Sequence, residues 1–357
     1  VHTRRIGAVI ALLAAGVLLL APGPDRAGRI PAQLPRELAG PALTTVSVTT
    51  DTTGPAALIA GYPDLPVVGD MSGGQNVVVG ADNSYRTVPS DSRLDPRGRY
   101  LLLAGEDGAL TRLNLADRST RRYDIGTDGY TVAMAIAPDG NTALVGPTPD
   151  RHTAPVQIDA LHLLDLRTGE SRNLGVRASA AAFSPDGTRI VVTTGDRSDN
   201  VVIDPATDTR TPGRPRGLIA GDDAWSPDGR LLAYQTFGEP TVELAPVDGA
   251  SEPTTLTDVG TFLGWRDATT ILVYDYGGRL RTIGTDGTAA QVMRMPERTG
   301  ITDAAGALIP DLVFDETTDP DRGPWWLRFR WPLLAVTLLT LLMTAPSIVS
   351  RRRRTAV

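Results

Sequence analysis

The stretch AAFSPDGTRIVV, residues 181–192, decides the fold. Two apolar runs flank Ser184-Pro185-Asp186-Gly187, so the unit reads strand, tight turn, strand. Proline presets φ, aspartate accepts a local backbone hydrogen bond, and glycine takes a positive φ at no steric cost. The unit recurs as WSPDG at Trp225–Gly229 and as IAPDG at Ile136–Gly140. Asp139, Gly140, Asp186, Gly187, Asp228 and Gly229 are therefore read as structural turn residues, each pair holding one hairpin.

Working outward, weaker copies of the turn precede further apolar runs. They are DTTG at Asp51–Gly54, DPRG ending at Gly98, Arg266-Asp267-Ala268, and DAAG ending at Gly306. Successive turn ends lie 44, 42, 47, 42, 39 and 38 residues apart. That is the period of a four-stranded propeller blade. Residues between the turns supply two more strands, as in DALHLLDL (Asp159–Leu166), RTG and ESRNLG (Glu170–Gly175). The expectation is an all-β propeller over 43–314. Seven turns favour seven blades; six is the alternative, with the weak first unit closing the last.

Composition agrees with many short strands. Glycine (37) and proline (28) are abundant, aromatics are 5%, and cysteine is absent, which excludes disulfides and thiolate chemistry. Lysine is also absent. The eight end residues Arg4, Arg5, Arg328, Arg330 and Arg351 to Arg354 leave 27 Arg against 41 acids in the middle, about -14. So acidic a domain does not suit nucleic acid, whose binding rests on neutralising phosphates.

At the start, Arg4-Arg5 and the apolar run Ile6–Ala21 read as a signal peptide or a retained signal anchor over 1–21. A Pro- and Gly-rich linker is expected over 22–42. A polar spacer at 315–324 leads to an expected transmembrane helix over 325–350. Trp325, Trp326 and Trp331 would mark one interface and the basic tail 351–357 the cytoplasmic side. The expectation is a cell-membrane protein with its propeller outside the cytoplasm and its C-terminus inside.

The units resemble those of the TolB-type and WD40-type propeller families, which share a strand, an S-P-D-G turn and a second strand. The resemblance spans roughly Leu43 to Phe314, and the chain is read as a membrane-anchored bacterial member. Leu164-Asp165-Leu166-Arg167-Thr168-Gly169 is similar to a D-L-x-T-G strand ending found across the group, whereas the Trp-Asp dipeptide of WD40 repeats is missing. The resemblance implies a docking platform.

Chemistry-bearing residues are few. His162 falls inside an alternating run and reads as a strand position, and His152 lies in the longest internal insertion without a partner. No catalytic, cofactor-binding or metal residue is assigned. Calcium is the one cofactor raised, by Asp222-Asp223 and by Asp196 and Asp199. Recognition is expected in irregular loops, through Tyr62, Arg151 and His152. The resulting function is a non-catalytic extracytoplasmic binding or scaffold domain. Its partner would be a protein, peptide or glycan of the cell envelope, with the membrane engaged through the C-terminal helix. The alternatives are a glycan-acting propeller enzyme and an accessory subunit of a membrane complex.

Overall fold

A computed structural model describes residues 33–40, 42, 44–62, 75–148, 157–194, 199–213, 217–235, 239–275, 277–316, 319–329, 333–334 and 336–337. A short strand β1 (Gln33–Pro35) comes first, inside the stretch read as a linker. Blade 1 takes β2 (Ala56–Tyr62), β3 (Gln75–Gly80) and β4 (Tyr85–Val88). Blade 2 is β5 to β8 (Arg93–Leu94, Tyr100–Ala104, Ala109–Asn114, Thr120–Asp124). Blade 3 is β9 to β12 (Tyr130–Ile136, Thr142–Thr148, His162–Asp165, Ser171–Asn173). Blade 4 is β13 to β16 (Ala180–Phe183, Ile190–Thr194, Asp199–Asp204, Thr209–Pro212). Blade 5 is β17 to β20 (Leu218–Ile219, Leu231–Gln235, Val242–Pro246, Thr254–Leu256). Blade 6 is β21 to β24 (Thr261–Asp267, Thr270–Asp275, Arg279–Gly284, Ala289–Arg294). Then come β25 (Gly300–Ala304), a 3-10 helix (Gly306–Asp311) and β26 (Val313–Asp315).

The described strands form six four-stranded sheets, not seven. Strand order in the first is β25-β2-β3-β4, so the last long strand becomes the innermost strand of the first blade. This closes the ring and leaves no open seam. It also explains the miscount. Asp51–Gly54 and Asp303–Gly306 both resemble hairpin turns, but they are the two broken ends of one blade. Among the described residues no strand of the first blade precedes Asp51; Ser47 instead bridges Thr87 beside β4.

Sequence pattern follows depth in the blade. Inner strands such as β9 and β13 are almost wholly apolar because both faces are covered by neighbouring blades. Third strands alternate, and outer strands such as β12 (SRN) and β16 (TRTP) are exposed and polar, which blunts each blade's edge. The apolar core lies between blades. Trp225, Leu244 and Trp265, for example, pack blade 5 between blades 4 and 6.

Both terminal segments seal the junction of blades 1 and 6. Strand β1 pairs in parallel with β26, Gln33 to Val313 through Pro35 to Asp315. Leu38 N–H donates to Arg294 O at the end of β24. Arg86 of β4 is fully buried and binds both segments. Its Nη2 donates to Asp51 Oδ2 at 2.6 Å, and its Nη1 donates to Asp321 O at 2.7 Å.

The expected membrane helix over 325–350 is corrected. The named helix α1, Trp325–Arg328, is one turn of about 6 Å, against the ~30 Å of a bilayer core. Helical residues follow at 333–334 and 336–337, yet no helix among the described residues is long and apolar enough to cross a membrane. Arg328 reaches back to Thr44 Oγ1 at 3.1 Å, so the segment begins against the turn that leads into blade 1. The reading as a membrane-anchored member, with the membrane as a partner and a cytoplasmic C-terminus, is therefore not supported. The signal expected at 1–21 and the tail 351–357 lie outside the described residues.

Candidate binding site at the channel mouth

In each blade the inner strand starts at one end of the ring and runs to its hairpin turn at the other. At the turn end, Gly140, Gly187 and Gly229 each take φ 71°. Asp186 Oδ1 accepts from Ser184 Oγ at 2.6 Å and from Thr188 N at 3.0 Å, and Asp228 repeats this with Ser226 and Arg230. Asp139 accepts from Asn141 N at 2.8 Å. These residues lie away from the opposite end, where a cavity of about 350 Å³ opens on the axis.

Five inner strands line this mouth: Arg93 of β5, Met134 of β9, Ala180 of β13, Leu218 of β17 and Thr302 of β25, with Asp222 beyond β17. Small side chains at Ser179, Ala180 and Ala181 leave the space open. Neighbouring blades fix the rim through side chains. Tyr130 O–H donates to Asp91 Oδ2 at 2.9 Å. Thr193 Oγ1 accepts from Ile219 N at 3.1 Å, and Asn200 Nδ2 donates to Gly217 O at 3.1 Å, so blade 4 holds β17 in place.

Blade 5 departs from the others here. Its inner strand pairs with β18 at Leu218 and Ile219, then only again at the Trp225–Leu232 bridge. Ala233 alone spans the gap: its C=O accepts from Ala220 N–H and its N–H donates to Ala224 O. Residues between Ala220 and Ala224 therefore bulge out, helped by Gly221 at φ 146°. Bulges re-aim side chains, and this one turns Asp222 to the mouth and lays Asp223 against Gly306 and Gly264.

Across from the bulge stand Arg93 and Asp303. Arg93 Nη1 lies 3.3 Å from Asp303 Oδ1 and 3.7 Å from Asp222 Oδ1. Asp303 Oδ2 accepts from Leu94 N–H at 2.5 Å. Burial pushes the Asp303 carboxyl up to about 7, although Arg93 pulls the other way. Asp223 is raised well above the ordinary carboxylate range, by burial and then by the charges of Asp222 and Asp303. Burial opposes the charge of Arg93, but Asp303 and Asp222 outweigh it and hold the guanidinium protonated.

The loop residues named from sequence are not gathered at this site. Tyr62 is buried at the end of β2 and its hydroxyl donates to Ala39 O at 2.8 Å. Arg151, His152 and Asp196 lie outside the described residues, and Asp199 is exposed at the start of β15. His162 is buried in β11, which lowers its pKa. Among the described residues no group of three or more His, Asp or Glu is arranged to hold a metal ion. Arg93 and Asp303 were missed. The bulge left a readable trace: Gly221-Asp222-Asp223 lengthens the run between Leu218 and the Ser-Pro-Asp-Gly turn beyond that of blade 4.

No protein-family model and no curated protein matches this chain. Solved structures do. The structure of a putative TolB from Agrobacterium tumefaciens is similar at 18% identity and TM-score 0.44, over 69% of this chain and 96% of that one. TolB from Acinetobacter baumannii is similar at 15% identity and TM-score 0.45, over 71% and 68%. The propeller domain of Myceliophteria thermophila Cps50 (Swd1) is similar at 13% identity and TM-score 0.40, over 54% and 63%. At such identities the function has to be read from this chain's own residues.

Proposed function

We propose that the propeller is a non-catalytic binding domain that takes an extended segment of a partner protein into the mouth of its central channel. The observation that supports this most is the composition of the mouth. Apolar Met134 and Leu218 stand beside Ser179, Thr302, Arg93 and Asp222, around small residues that leave room for a chain. Pockets that bind by shape with a few oriented polar groups have this character. Asp303, the buried carboxyl that an acid–base mechanism would choose, has both oxygens committed to Leu94 and Arg93.

A plug tests the reading. Ala180 sits at the rim on the first residue of β13, so Ala180→Trp fills the mouth without touching a blade interface hydrogen bond. Peptides selected by display against the wild-type chain are expected to bind Ala180→Trp at least about tenfold more weakly, a loss of about 1.4 kcal/mol. The far-ultraviolet spectrum should be unchanged. Equal binding of the selected peptides to both proteins would move the site off the channel.

A further inference from the structure

The channel mouth holds a carboxylate that no donor reaches. Asp222 lines the cavity of about 350 Å³, and its side chain is only 19% exposed. Among the described residues its carboxylate takes part in no hydrogen bond. Its nearest cation, Arg93 Nη1, stands 3.7 Å away, beyond hydrogen-bond reach. The same nitrogen is closer to Asp303 Oδ1, at 3.3 Å, and donates to it. Asp303 is buried and lies outside the cavity lining, so the one guanidinium at the mouth is committed away from Asp222. Asp91 is the second carboxylate of the lining and comes from blade 2, opposite blade 5 in a ring of six. It accepts from the Tyr130 hydroxyl, and no cation among the described residues pairs with it. Acid thus exceeds base in the lining. A largely buried carboxylate without a donor carries a desolvation cost that a bound donor removes. Apolar Met134 and Leu218 complete the surroundings.

We propose that the mouth receives a lysine or arginine side chain of the partner segment, with its cationic head on Asp222 and its methylene stem against Met134 and Leu218. This names the chemistry of the partner and rests on the mouth being the binding site. Long basic side chains suit such a cavity. Their stems bury against apolar surface while the head stays with polar groups, and the head carries only donors. Asp91 adds a second negative charge from the opposite blade. An acidic side chain would meet two carboxylates there, with Arg93 already engaged by Asp303, and like charges across an interface suppress a wrong partner. A neutral side chain would leave Asp222 without an ionic partner of its own. The bulge after β17 has a purpose on this reading, because it sets one acid at the mouth that a regular inner strand would not place there.

The test uses peptides selected by display against the wild-type chain, remade with acetylated N-termini so that any positive charge is a side chain's. Those that Ala180→Trp excludes should contain lysine or arginine. Replacing that residue by glutamine in the peptide should weaken binding at least about tenfold, and so should Asp222→Asn in the protein. Asp91→Asn should weaken it by a smaller factor. Asp248→Asn removes the same charge from the exposed turn after β19, at the other end of blade 5, and should change nothing, which separates a seated side chain from attraction to an acidic protein. Asparagine keeps the shape of Asp222, which has no hydrogen bond to lose. The lysine-to-glutamine peptide leaves the protein untouched and carries the test even where a variant folds poorly. Plug-sensitive peptides without a basic residue would overturn the inference while the mouth remains the binding site. So would peptides that bind Asp222→Asn as tightly as wild type, or that lose as much to Asp248→Asn. Peptides indifferent to the plug would overturn both readings.

Discussion

Arg86→Ala is expected to destabilise the propeller by about 3–5 kcal/mol, read as a shift of the urea midpoint at constant slope. The side chain is fully buried, so its deletion leaves a cavity as well as broken bonds. Its Nε and Nη2 bind Asp51 Oδ2 at 3.1 and 2.6 Å, its Nη1 binds the carbonyls of Tyr85 and Asp321 at 2.7 Å, and Nη2 reaches Asp321 Oδ2 at 3.3 Å. Three pieces of chain thus meet on one guanidinium: the segment entering blade 1, strand β4, and the segment leaving the ring. Without it, Asp51, only 23% exposed, loses the guanidinium it accepts from at 2.6 and 3.1 Å. Asp51→Asn keeps an acceptor and should cost less, about 1–2 kcal/mol. A loss below about 1 kcal/mol in Arg86→Ala would mean that the terminal segments are not held in this way.

The second large effect contrasts two glycines of equal φ. Gly98 and Gly187 both end the turn between the first two strands of a blade, at φ 66° and 71°. A Cβ at Gly187 meets nothing within 4 Å, whereas one at Gly98 would lie 1.9 Å from Ala56 O, where β2 of blade 1 abuts the turn of blade 2. Gly187→Ala pays only the positive φ, about 1–2 kcal/mol. Gly98→Ala adds a backbone clash that flexible side chains cannot relieve, for a total of about 2–5 kcal/mol. It also breaks into the bond from Ala56 N to Gly98 O. Equilibrium unfolding of the two variants checks the contrast. Equal losses would show that blades 1 and 2 do not pack at this turn.

The two expectations draw on different levels of legibility in the sequence. Gly187 was readable because its turn, its strands and its chemistry are local. Four of the hairpins were placed by that grammar alone, at Gly98, Gly140, Gly187 and Gly229. Blade count was not readable, because β25 and β2 pair across nearly the whole chain and leave no local signature. A turn at the broken end of a blade looks like any other. The same holds for the site. Arg93 and Asp303 meet only because the ring closes, and Arg86 finds Asp51 and Asp321 only because both chain ends return to one blade. Asp222-Asp223 did attract notice, but as a calcium candidate. Their surroundings place the Arg93 guanidinium 3.7 Å from Asp222, where it competes with a hard cation for the carboxylate.

Legibility also failed in the other direction at the C-terminus. The apolar run after Trp325 carries every compositional mark of a spanning helix, and the described residues do not form one. The three-point anchorage of Arg328 on Thr44 and of Arg322 on Gly40 O shows why the stretch before it is not free spacer: it is folded onto the propeller.

Site-specific photo-crosslinking tests the central claim, that partners enter at the channel mouth. A benzophenone side chain placed at Ala180 on the rim, or at Thr209 on the exposed outer strand of blade 4, is irradiated in the source cells. The account predicts a discrete protein adduct from position 180 and none from position 209, with the adduct lost when an excess of a mouth-binding peptide is present. An adduct from position 209 alone, or from both with equal yield, would contradict it.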